Sequence, residues 1–142
     1  MKLPDDVKRL LDGPNFAHFS TLMPSGAPQV VPVWVMREGD RILVGTSERS
    51  QKARNTARDG RVALSVINQQ NPYEEAQVRG RVVEVRRDAD LAFMDRVTQK
   101  YVSMPWPMRD VGPRQVVLVI EPEKAAYQKL PFQHNPGAQP DA

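Results

Sequence analysis

The chain contains no cysteine. That absence excludes disulfides, thiolate metal centres and a cysteine nucleophile together, and it fits a cytoplasmic protein. Histidine occurs only as His18 and His134, and neither has a second histidine at metal-ligand spacing, so no metal site is expected. No apolar run reaches the roughly 18 residues that a membrane-spanning helix requires. The opening MKLPDDVKRLLDG carries no signal-peptide core. Neither a GxGxxG sequence nor a Walker motif is present, so neither nucleotide fingerprint applies. Aromatic residues make up only 6% and do not interleave with the basic ones, which argues against a nucleic-acid partner.

What is present is enough for one domain. The 142 residues match the usual size of a single domain, and such a chain buries roughly 70% of its unfolded surface. Basic residues exceed acidic ones by 20 to 17, a net charge of +3. The excess is local: Arg49, Lys52, Arg54, Arg58 and Arg61 stand against Asp59 alone. An anion meeting this stretch is one reading, and a solvated helix face is the other.

Periodicity and turn signals divide the chain into short elements. Residues 4–12 read as an amphipathic helix with Val7, Leu10 and Leu11 on one side, stopped by Gly13-Pro14. Phe16 to Met23 reads as a strand, Pro24-Ser25-Gly26 as a turn, and Gln29 to Met36 as a second strand. Pro32 cannot donate to a ladder and belongs at an edge or bulge. A tight turn at Glu38-Gly39-Asp40 returns the chain as Arg41 to Thr46, completing a three-stranded meander. Ser50 to Asp59 is helical, with Ser47 or Ser50 as its N-cap and Gly60 as its stop.

Arg61 to Asn68 follows as a strand apolar enough for burial on both faces, and Asn71-Pro72 as a turn. Glu75 to Val85 is a long strand in which Gly80 marks a bulge or a close backbone approach. Asp88 to Tyr101 reads as a helix capped by Asp88, with Leu91, Met94, Val97 and Tyr101 on one face. A loop of Pro, Met and Trp residues (103–113) precedes the last strand, Gln115 to Ile120, with Tyr127 on a continuation. Residues 1–130 make the domain. The tail over 131–142, rich in Pro, Gly, Gln and Asn from Gln133 on, reads as disordered. Six antiparallel strands with singly inserted helices predict a mainly β fold built as a barrel.

The segment GTSERSQKARN, residues 45–55, carries the strongest chemical signal. It runs from a strand end through small hydroxyl residues into a helix start. Helix N-termini offer free amide N–H groups and partial positive charge, to which Ser50 adds a hydroxyl and Lys52 a point charge. Phosphate binding is one reading, and an ordinary cap with a solvent-facing lysine is the other.

Here the sequence resembles the pyridoxamine-phosphate-oxidase-like split-barrel superfamily, in particular its branch that uses the deazaflavin coenzyme F420. FAHFSTLMPSGAPQVVPVWV is similar to that family's opening hairpin, GTSERSQKARN to its phosphate turn, RVALSV to its next strand and NPYEEAQVRGRVVEV to its fifth strand. The likeness covers roughly residues 10–122. It implies a six-stranded antiparallel split barrel and a homodimer with two cofactor sites between the subunits. Val31, Pro32, Val33 and Trp34 would lie along the tricyclic ring, and Thr46 and Ser47 near its tail. Ser50, Gln51 and Lys52 would hold the phosphate, flanked by Arg54 and Asn55, while Tyr73, Arg79 and Trp106 would approach from the partner. Relatives often carry an arginine where Ser50 or Gln51 stands, which shifts phosphate contacts toward Arg49 or Arg54 and favours F420 over FMN. The implied activity is hydride transfer to an electron-poor small-molecule substrate, with Arg79 and His18 as candidate proton donors. An FMN-dependent oxidase or reductase, or a non-catalytic cofactor-binding protein, is the alternative.

Overall fold

In the computed structural model the described residues are 1–137. Helix α1 (Asp5–Asp12) precedes strands β1 (Ala17–Leu22), β2 (Pro28–Val33), β3 (Met36–Glu38) and β4 (Arg41–Ser47). Helix α2 (Gln51–Arg58), strands β5 (Arg61–Asn68) and β6 (Asn71–Arg87), helix α3 (Ala92–Val102) and strand β7 (Gln115–Lys129) complete the order. The seven strands of the described residues join one antiparallel sheet in the order β2-β1-β5-β6-β7-β4-β3. The expected count of six is therefore corrected to seven.

The extra strand arises because the run Gln29–Met36 breaks at Trp34–Val35. Its first half pairs with β1 and its second with β4, so the expected meander is split between opposite edges. Two such edges in a flat sheet of this width would lie about 29 Å apart, at ~4.8 Å per strand. Three residue steps from Val33 to Met36 span at most about 10 Å. The sheet must therefore curl until its two edges approach each other, without a ladder closing them. Pro32 sits on the edge strand β2, where its missing N–H costs nothing.

The break is held by α3. Val35 donates its N–H to Tyr101 Oη (3.1 Å), while Lys100 Nζ donates to Val35 O (2.8 Å) and to Leu11 O (2.6 Å). Tyr101 Oη donates in turn to Asn15 O (2.6 Å). Backbone groups that lose a ladder at the break thus regain partners from side chains. Lys100 has no carboxylate within ion-pair distance among the described residues, and burial pushes its pKa down to about 8. The unfolded chain then holds a proton that the folded chain has released between pH 8 and 10, so stability rises with pH in that window. Urea midpoints at pH 7.5 and 9.5 are expected to differ in the wild type, and to differ less in Lys100→Met.

One core fills the barrel, where Val7, Leu10 and Leu11 of α1 meet Phe19, Val44, Leu64, Val78 and Leu118. A second lies outside β4 and β7, where Leu43, Val117 and Val119 face Leu91, Met94 and Val97. Strand β4 and the first half of β7 (115–120) therefore bury both faces. By contrast β5 alternates buried and half-buried residues, which corrects the expectation of burial on both faces. α1 is fastened by Glu74, a buried carboxylate that accepts from Arg9 (2.8 Å), Tyr127 (2.5 Å) and Asn68 (3.0 Å) and is held at about 2 by them.

Three boundaries also differ. β6 begins at Asn71, because the turn falls on Gln69-Gln70 and not on Asn71-Pro72. α3 begins at Ala92, although Asp88 still caps it by accepting from the Phe93 and Met94 amides (2.9 and 3.0 Å). β7 runs unbroken from Gln115 to Lys129, so the expected continuation with Tyr127 is part of the same strand. Of the tail expected to be disordered, residues 131–137 carry no helix or strand, yet Phe132 and His134 pack edge-on to Tyr73 at 5.5 and 5.7 Å. Residues 138–142 lie outside the described residues. No helix among the described residues is long and apolar enough to cross a membrane.

Candidate functional site

The β4–α2 turn is built around Ser50, the N-cap of α2, whose Oγ accepts from the Ala53 amide (3.1 Å). Thr46 Oγ1 donates to the same oxygen (2.9 Å), which leaves the Ser50 hydroxyl proton for an outside acceptor. Ser47 Oγ accepts from the Arg49 amide (3.2 Å). The amides of Gln51 and Lys52 have no hydrogen-bond partner among the described residues. Free amides, a hydroxyl and a helix dipole thus converge on one point.

Asn55 anchors this turn to the sheet. Its side chain is fully buried, donates to Thr21 Oγ1 (3.0 Å), and accepts from Gln51 Nε2 (2.7 Å). Gln51 Oε1 in turn accepts from Arg54 (2.9 Å). Asn55 and Thr46, both buried, are therefore supports of the turn, whereas Ser50, Gln51, Lys52 and Arg54 are its accessible groups.

Charge pairing covers only part of the basic residues. Arg9, Arg37, Arg41, Arg61, Arg81, Arg86, Arg87 and Arg109 each pair with a carboxylate. Arg49, Lys52 and Arg54 pair with none among the described residues, and neither do Arg79 and Lys124. Lys52 is half-buried, and burial lowers its pKa with no anion to offset the cost. A phosphate bound there would supply that missing charge, so the residues present fit a phosphate-bearing cofactor.

The second concave feature is a cleft of about 610 Å³ on the outer face of the sheet. Cross-strand register builds it in two rows. Pro32, His18, Ser65, Gln77 and Ala126 lie abreast, and beside them Val30, Ser20, Ala63, Arg79 and Lys124. Ser20 neighbours Thr21, whose side chain points the other way to meet Asn55. Strand β1 therefore joins the cleft to the β4–α2 turn.

The other candidates are dispersed. Val31 and Val33 point into the barrel core, so only Pro32 of that run offers its side chain to the outer face. Trp34 stacks on Tyr101 (5.2 Å, 14°) and belongs with Trp106 to the packing under α3. Tyr73 lies at the start of β6 beneath Phe132 and His134. Within one chain the turn residues come together, while Arg79, Tyr73 and Trp106 stand in three separate places. Lys124, Ser65 and Gln77 were not singled out in the sequence. Strand parity was the signal, since each occupies the outward position of an alternating strand.

Comparison with known proteins follows the same lines. A family model described as pyridoxamine 5'-phosphate oxidase matches residues 3–129. Among solved structures, an F420 reductase is 29% identical, with a TM-score of 0.78 over 87% of this chain and 98% of its own. A conserved hypothetical protein from Mycobacterium tuberculosis is 20% identical, with a TM-score of 0.77 over 96% of this chain and 94% of its own. General Stress Protein 26 from Bacillus anthracis is 18% identical, with a TM-score of 0.69 over 90% and 95%. These last two share the fold. No curated protein sequence matches the chain.

Proposed function

The chain belongs to the pyridoxamine 5'-phosphate oxidase family, and from that membership we propose that it is a cytoplasmic, homodimeric oxidoreductase dependent on coenzyme F420. Its domain is residues 1–130. The observation that carries this reading is the β4–α2 turn, where Ser50 and two unpartnered amides lie beside Lys52, Arg49 and Arg54, none of them ion-paired among the described residues. Those groups would take the cofactor phosphate, with Ser47 beside them. The 29% identity to an F420 reductase supports the deazaflavin over FMN, as does the absence of arginine at positions 50 and 51.

When bound, the deazaflavin supplies a hydride to an electron-poor acceptor. The protein's own part is to bind, orient and neutralise. In such a homodimer the outer cleft of one subunit would face the β4–α2 turn of the other, and Arg79 would approach the cofactor from the partner subunit. His18 and Arg79 line that cleft and are the groups placed to offset negative charge as it develops on the substrate.

Titration of the purified protein with both cofactors tests the reading. Coenzyme F420 is expected to bind more tightly than FMN, and light scattering to give the mass of two chains. Equal or tighter binding of FMN would replace the deazaflavin assignment with the FMN one. A monomer at micromolar concentration would remove the shared site.

A further inference from the structure

Arg79 and Lys124 occupy directly opposite register positions on neighbouring strands, and both are exposed on the outer face. Like charges placed so repel each other. Elsewhere the protein resolves such crowding with acids: Arg81, the next outward residue of β6, pairs with Glu123. Neither Arg79 nor Lys124 has a carboxylate within ion-pair distance among the described residues, although both line the cleft. The repulsion is left standing where a ligand has room to enter.

The rest of the cleft describes the ligand's body. Its floor carries the short side chains of Ser20 on β1, Ala63 and Ser65 on β5 and Ala126 on β7, with Gln77 between Ser65 and Ala126 and with His18 and Val30 at the end away from the two cations. A floor of small side chains on a sheet receives a flat molecule, and a pair of cations beside it receives an acidic group.

We propose that this cleft is an anion subsite in which Arg79 and Lys124 hold a carboxylate of the substrate, so that the enzyme acts on a flat organic acid. Calling the bound acid a substrate rests on the oxidoreductase reading. The anion subsite itself does not, since it is formed by one chain without cofactor. Within one chain it is also separate from the β4–α2 turn, because no residue of the 46–55 segment lines it.

The probe is 2-naphthoate, with the neutral 2-naphthalenemethanol as its partner, titrated by calorimetry into the purified protein. Naphthoate is expected to bind at least tenfold more tightly than the alcohol. Arg79→Gln and Lys124→Gln are each expected to weaken naphthoate roughly tenfold and to leave the alcohol unchanged. Lys52→Ala should leave naphthoate binding intact, and so should saturating coenzyme F420. Equal binding of acid and alcohol, or no binding at millimolar concentration, overturns the subsite. Loss of naphthoate in Lys52→Ala moves the anion to the turn and overturns the proposal, and competition by F420 assigns the cleft to the cofactor's own carboxylates. If the double variant turns dimer into monomer, the pair meets acids of a second copy and the proposal falls. Failure of F420 to bind, with naphthoate behaving as expected, sinks only the oxidoreductase reading.

Discussion

Lys52→Ala is expected to bind coenzyme F420 about 10- to 150-fold more weakly than the wild type while keeping its fold. A hydrogen bond to a charged phosphate contributes roughly 1.5–3 kcal/mol, which sets that range. Stability should change by about 0.5 kcal/mol or less, because Lys52 forms no ion pair among the described residues and burial already disfavours its charge. Wild-type affinity should fall as salt is added, and that of the variant should fall less. Arg58 is unsuitable as the control, since it donates to Leu22 O and to Asn55 Oδ1 and so braces α2. Lys129, exposed at the far end of β7 with no ion pair among the described residues, serves instead. Fluorescence titration of the three proteins decides the matter. If Lys52→Ala binds like the wild type, the phosphate lies elsewhere.

The turn was legible in the sequence because its determinants are local. A hydroxyl N-cap, a lysine two residues on and a strand ending just before them all fall within eleven residues. Gly80 was legible for a similar reason, as a glycine interrupting a strand has few roles. The break of Gln29–Met36 was not legible, because the one strand-averse residue of QVVPVWVM, Pro32, lies inside β2, while the break falls at Trp34 and Val35, both strand formers. What divides it is Lys100 and Tyr101, which lie far away in sequence and reach Val35 only after α3 has packed. Lys124 was missed for a different reason. The sequence placed Tyr127 on a continuation of β7, but only pairing with β6 sets the register past Pro122 and puts Lys124 opposite Arg79. Val31 and Val33 show the limit of a motif, which names a strand without saying which face of it looks outward.

Gly80→Ala is expected to be the most damaging single-methyl change in the sheet, costing about 3 kcal/mol. Pro122 has no N–H to donate, so β7 cannot keep a regular ladder through it. The register with β6 accordingly jumps between Arg79 and Gly80, from Lys124 to Pro122. At that bulge the Glu121 carbonyl closes over Gly80, and a Cβ there would lie 2.2 Å from the oxygen. The obstacle is backbone, which cannot swing aside as a side chain does. Gly60→Ala gives the comparison, because its Cβ would meet Val82 O at 3.1 Å and needs only a small adjustment. Its cost should be about 1 kcal/mol. With a slope of about 2 kcal/mol per molar urea, the midpoint of Gly80→Ala should fall by about 1.5 M and that of Gly60→Ala by about 0.5 M. The same bulge sets Arg79 opposite Lys124, so Gly80→Ala should also weaken naphthoate binding under conditions where it remains folded, whereas Gly60→Ala should not. A Gly80→Ala midpoint equal to the wild type would mean that β7 can shift at Pro122, and that the two cations owe their places to something other than this bulge.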